Sequence, residues 1–258
     1  MLFSDKLLFI HAPKTAGTSV TKLLLDNIQD HITLVIPSDR PDSAVSVPLM
    51  VRAKANLKAT LTDLKFRMFR NVTIAEGRRH EPLSDAARSL SRFGRRVEDF
   101  DTIVSIMRNP YDLEVSRYHF LRRGYLGVAG LARERAQRIA LDGDFTRFAC
   151  MAPYHGRMPS RIEDWYQVDG AMPQNLHIVR FETLEEDIGR ILGRLYPIQS
   201  GLPKLNASTH APYRSYMNAE AESGIYRKFR WLFDREFYKR EQFPALAPIH
   251  SAENREHV

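Results

Sequence analysis

Two stretches of the chain carry side chains suited to holding an anion. In IHAPKTAGTS (residues 10–19), Lys14 offers a mobile point charge, and Thr15, Thr18 and Ser19 offer hydroxyl donors around Gly17. Such a turn between a buried strand and a helix aims backbone N–H groups outward, where the helix dipole adds partial positive charge. The lysine stands before the last glycine, so the G-x-x-x-x-G-K-[ST] order of an ATP or GTP loop is absent. In IMRNPYDLEVSRYHF (106–120), Arg108 closes an apolar run and Ser116 follows eight positions later. Arginine offers a fork for phosphate and serine a single donor, although such a pair carries little information by itself.

The elements that must position these residues read as β-α units. Leu7–Ile10 is a continuous apolar run, as in a buried parallel strand, and Val20, Leu23, Leu24 and Ile28 follow at helical spacing. Asp101–Met107 is a second buried-strand candidate, with Asn109 as N-cap and Pro110 as first helical residue. Leu176–Phe181 is a third, and Thr183 and Glu186 have capping-box spacing ahead of the stripe Leu184, Ile188, Ile191, Leu192 and Leu195. A short strand is expected at Val72–Ile74, a surface loop over 37–48 and a helix carrying Leu57, Leu61, Leu64 and Met68. Three β-α units imply a mostly parallel sheet flanked by helices, with ligands at the carboxyl ends of the strands.

Taken together, the two loops resemble the PAPS-dependent sulfotransferases, especially the carbohydrate branch. The first is similar to that family's 5′-phosphosulfate loop and the second to its 3′-phosphate motif, in the same order and with the same Arg-to-Ser spacing. IVRFETL (178–184) resembles the family's later strand and helix start, and LNASTHAPY (205–213) its loop closing over the nucleotide. YHFLRRG (118–124) and REFYKREQF (235–243) resemble the uronyl 2-O-sulfotransferases; residues 38–70 and 124–175 carry no such likeness.

The resemblance implies an α/β, P-loop-like three-layer fold as one domain over residues 1–245, with a tail at 246–258. It implies that Lys14, Thr15, Gly17, Thr18 and Ser19 hold the 5′-phosphosulfate, and Arg108 and Ser116 the 3′-phosphate, with PAPS as donor and PAP as product. Lys14 would also be catalytic, stabilising the leaving phosphate oxygen; no metal is needed, because no Mg²⁺ bridges β- and γ-phosphates. The base falls between the nucleotide motifs, where EGRRHEPLSDA (76–86) resembles a G-H-x-P-L stretch. His80 is the candidate, with Glu76 and Glu81 as carboxylate alternatives. His119 is assigned to packing or to the acceptor cleft, and His11 to buried structure. Two departures stand out: Ala16 where a second glycine is common, tolerable if φ stays negative, and Leu113-Glu114 where an Arg-containing pair is frequent.

Composition bounds the remainder. The chain has 258 residues and a net charge of +7; residues 52–96 hold twelve basic against four acidic side chains, enough to account for the whole excess. Arg78, Arg79, Arg88 and Arg92 could line an entrance for an acidic acceptor, and Trp165 and Tyr166 could stack on a sugar unless they belong to the core. Cys150 is the only cysteine, which excludes an internal disulfide and a two-cysteine zinc site and leads to the expectation of a cytoplasmic protein. No apolar run is long enough for a transmembrane helix. The expected activity is sulfuryl transfer to a hydroxyl of a carbohydrate or glycolipid. The rival readings are a non-catalytic module binding an anionic nucleotide or nucleic acid, and an ATP-dependent small-molecule kinase. The first lacks a nucleic-acid fingerprint, and the second lacks the G-K-[ST] order.

Overall fold

The computed structural model describes residues 1–36, 71–123, 131–154, 161–203 and 210–245. The surface loop expected over 37–48, the helix expected around 57–68 and the tail at 246–258 lie outside them. Among the described residues six strands form one sheet: β1 (Leu2–Phe3), β2 (Leu7–Ile10), β3 (Ile32–Ile36), β4 (Val72–Glu76), β5 (Thr102–Met107) and β6 (Leu176–Arg180), in the order β4-β3-β1-β2-β5-β6. The pairings β3–β4, β2–β5 and β5–β6 are parallel; the short β1 runs antiparallel to both neighbours.

Alternation along the strands divides the core in two. On one face, Leu7, Phe9, Val104 and Ile106 meet Val20, Leu23 and Leu24 of α1 (Gly17–Asn27) and Leu184, Ile188 and Leu192 of α6 (Leu184–Leu192). On the other, Leu8, Ile10, Ile103 and Met107 are covered by α2 (Leu83–Leu90), α3 (Pro110–Arg122), α4 (Leu131–Leu141), α5 (Phe145–Met151) and α7 (Ala219–Asp234). This is the three-layer α/β arrangement expected from the sequence. A Cβ on Gly224 would stand 2.8 Å from Cys150 Cα, so the missing side chain is what lets α7 lie close on α5.

Caps explain where the helices beside the site begin. Asn109 accepts the Tyr111 N–H at 2.9 Å ahead of Pro110, as the sequence implies. The capping box at Thr183 does not form: its hydroxyl donates to the Asp187 carboxylate instead. Trp165 and Tyr166 are buried, with Tyr166 stacked on Trp231 at 5.5 Å, which removes them as a sugar platform.

Beneath the site, Glu114 is fully buried and pairs with both Arg117 and Lys228, while Arg117 also donates to the Pro153 carbonyl. Leu113 belongs to the core. The Leu113-Glu114 pair therefore makes no nucleotide or acceptor contact; it fastens α3 to α7. Burial pulls the Lys228 amine down to about 8, with Glu114 opposing the shift.

Candidate functional site

The loop after β2 turns sharply into α1. Lys14 and Ala16 both have left-handed backbone, with φ of 64° and 61°. The expectation of a negative φ at Ala16 is thus corrected: it is the N-cap of α1 in the αL region, with no side chain capping the helix. Each such non-glycine residue costs about 1–2 kcal/mol. The strain produces an uncapped helix start, with Gly17 and Thr18 in the first turn, where N–H groups have no intrahelical acceptor.

Gly17 meets a second constraint. A Cβ there would lie 1.9 Å from Cδ2 of His11, so the imidazole occupies the space any side chain would need. His11 is buried, as expected. The Thr15 hydroxyl donates to the Ala12 carbonyl at 2.9 Å and holds the turn together; it is not presented outward as the sequence reading supposed. Ser19 is buried as well, and Thr18 is half-buried.

His80 is brought to this loop. Its Nδ1 lies 2.9 Å from the His11 carbonyl oxygen, and the two rings meet edge-on with centroids 4.6 Å apart. A carbonyl only accepts, so Nδ1 carries the proton, and the lone pair of the neutral ring is on Nε2. The carboxylate alternatives fare differently: Glu81 is buried and accepts from Ser89 at 2.6 Å, while Glu76 is exposed at the end of β4. Arg78 and Arg88 both pair with Asp85, and Arg92 reaches toward the Glu76 carbonyl at 3.4 Å.

The second loop is fastened directly to the first. Arg108 donates to the Lys14 carbonyl at 2.8 Å, grips Asp112 through Nε and an Nη, and lies over the Phe181 ring at 4.2 Å. These contacts use three of the five guanidinium N–H donors and leave two for a ligand. Ser116 is fully buried, and its Oγ has no partner. The Lys14 ammonium lies 4.5 Å from the centroid of Phe120, which is 45% exposed. Desolvation first, then Arg108 and Arg123, pull the Lys14 pKa down.

Several residues of this neighbourhood escape a sequence reading. Glu182 accepts the Asn109 N–H at 2.8 Å and the Tyr238 hydroxyl at 2.9 Å, so it ties the β5–α3 turn to the segment after α7. Phe181, Phe120 and Asp112 likewise act through the fold. All four lie within stretches that carry the resemblance, Phe181 and Glu182 in IVRFETL and Asp112 and Phe120 in IMRNPYDLEVSRYHF, but the sequence gives none of them a role. His119 joins Tyr216 at 2.8 Å and stacks on His210 at 5.4 Å, consistent with packing at the far end of α3.

The residues present fit a nucleotide with phosphates at two positions. Lys14 and the open first turn of α1 suit one anion, while the orphaned Ser116 hydroxyl and the remaining Arg108 donors suit another. Among the described residues, no group of three or more His, Cys, Asp or Glu side chains is arranged to hold a metal ion. Among them also, no helix is long and apolar enough to cross a membrane.

No curated protein matches the sequence. A sulfotransferase from Alicyclobacillus acidocaldarius aligns over 88% of this chain and 96% of its own, at 13% identity and a TM-score of 0.41. Residues 97–197 match the family model of the sulfotransferase domain, a span that contains β5, α3 and β6 but neither the Lys14 loop nor His80. The matched span, about two fifths of the chain, includes Arg108 and Ser116.

Proposed function

We propose that the protein transfers a sulfuryl group from PAPS to a hydroxyl of a carbohydrate or glycolipid acceptor. The observation that carries the reading is the hydrogen bond from His80 Nδ1 to the His11 carbonyl, which fastens an imidazole of basic tautomer to the strand end that opens the Lys14 loop. The family match over 97–197 supports sulfotransfer in general. PAPS, when bound, supplies an activated sulfuryl group on its 5′-phosphate. Lys14 and the N–H groups of Gly17 and Thr18 hold that phosphate, and the ammonium neutralises charge on its oxygen. Ser116 and Arg108 bind the 3′-phosphate. His80 Nε2 accepts the acceptor hydroxyl's proton. The basic side chains near His80 favour an acidic acceptor.

Calorimetry of the whole chain against PAP, AMP, ATP and a duplex oligonucleotide, in EDTA, tests the assignment. PAP is expected to bind at least tenfold more tightly than AMP, about 1.4 kcal/mol, because Ser116 and Arg108 recognise the added phosphate. Equal binding of the two removes the 3′ site. Binding of the duplex alone returns the protein to a nucleic-acid module, and turnover that needs Mg²⁺ and ATP returns it to a kinase.

A further inference from the structure

We infer that the open edge of β6 is a docking site for an extended acidic peptide of a partner protein, which adds to the sheet as a seventh strand. Ile103 N–H donates to the Asn175 carbonyl at 2.9 Å, and Ile103 stands opposite Leu176 in the parallel register. Asn175, His177 and Val179 therefore turn their peptide groups toward β5, while those of Ile178 and the Leu176 carbonyl face away from it. Among the described residues β6 is the last strand of the sheet on that side, and no strand other than β5 pairs with it.

The edge is furnished on its outer side. A cleft of about 350 Å³ separates it from α6, whose Asp187, Arg190 and Ile191, with Arg194 in the turn beyond, recur at intervals of three and four along one face. That face is distinct from the core stripe of Leu184, Ile188 and Leu192. Asp187 is committed to Arg190 and Thr183. Arg180 and Arg194 line the same cleft, both exposed and, among the described residues, with no carboxylate at ion-pair distance.

This arrangement specifies its occupant. A strand laid against β6 alternates its side chains: one set faces α6 with Arg190 and Arg194, and the other lies beside Leu176, Ile178 and Arg180, which share the opposite face of β6. Acidic residues alternating with β-branched apolar ones satisfy both sides. A second copy of this chain does not, because edge-to-edge pairing brings Arg180, Arg190 and Arg194 near their own counterparts.

The probe is a blocked heptapeptide of alternating glutamate and valine, titrated into the full chain by calorimetry and followed by amide hydrogen exchange. It is expected to bind, to protect the Ile178 amide, and to weaken at least tenfold in Arg194→Glu or when the peptide is N-methylated at alternate residues. Because Arg194 is exposed, that variant keeps its fold, checked by circular dichroism. Four outcomes overturn the inference: no binding at millimolar peptide, binding without protection of Ile178, equal binding of the lysine–valine counterpart, and self-association through β6 in sedimentation. A short oligouronate that binds as tightly and also protects no amide would reassign the cleft to a saccharide and equally overturn the peptide.

Discussion

The Nδ1 atom of His80 donates to the backbone carbonyl of His11 across 2.9 Å, although 69 residues separate them in the chain. The bond sets the ring's tautomer and its position in a single contact. His80→Ala should therefore lower kcat by roughly 10² to 10⁴ while the PAP dissociation constant changes little, because the base meets the acceptor and not the nucleotide. Near wild-type turnover in steady-state kinetics would move the base elsewhere.

Arg108 has two tasks, and its replacement should show both. From the sequence alone, Arg108→Ala is expected to weaken PAP and leave AMP nearly unchanged. The guanidinium also holds the Lys14 carbonyl at 2.8 Å, so the loop that binds the 5′ end loses a support. Calorimetry should find weaker binding of both nucleotides, with the larger loss for PAP. Ser116→Ala, which removes only the unpartnered hydroxyl, should affect PAP alone.

Phe120 acts on Lys14 through the ring face beneath its ammonium. A cation–π contact of this exposure contributes about 0.5–1 kcal/mol. Phe120→Leu should reduce kcat/KM roughly twofold to fivefold, while Phe120→Tyr should retain activity. An unchanged Leu variant would show that Lys14 is held by other groups.

Ala16 occupies a left-handed conformation that glycine adopts without penalty. Ala16→Gly should raise stability by about 1 kcal/mol in urea denaturation at unchanged m-value. A loss of stability would mean that the αL geometry at this position carries no strain.

The buried Glu114–Arg117–Lys228 group yields a stability prediction with a pH signature. Glu114→Gln leaves two buried cations without their anion and should cost about 3–5 kcal/mol. Lys228 is pulled from 10.5 to about 8 in the folded chain. Between those values the unfolded state binds more protons, so this residue's contribution to stability rises with pH. Wild type should gain on Lys228→Met by roughly 1–2 kcal/mol from pH 7.5 to 9.5. A difference that stays flat over that range rules out the depressed amine.

What was legible in the sequence follows from distance along the chain. β2 and β5 are buried on both faces; β2 reads as an unbroken apolar run, and β5 as a run interrupted only by small hydroxyl residues, Thr102 and Ser105. The Asn109-Pro110 start is encoded in adjacent residues. By contrast, β1 is two residues long, too short for any period, and β3 was not assigned although Ile32–Ile36 is apolar but for Thr33. The capping box at Thr183 failed because Asp187, one turn on, offers the hydroxyl a charged acceptor. In the site, each loop's own polar residues could be read from spacing. The stacking of Arg108 on Phe181 and the bond from Asn109 to Glu182 depend on β5 lying beside β6, which no local pattern specifies.

The close fit of Gly17 against the His11 ring couples the two positions genetically. A side chain at residue 17 must displace the imidazole, and is expected to be accommodated only once position 11 has become small. The pair is thus sign-epistatic: one order of replacement passes through the displaced imidazole, and the other does not. Natural variants of this chain are expected to change residues 11 and 17 in concert, with the smaller residue at 11 arising first.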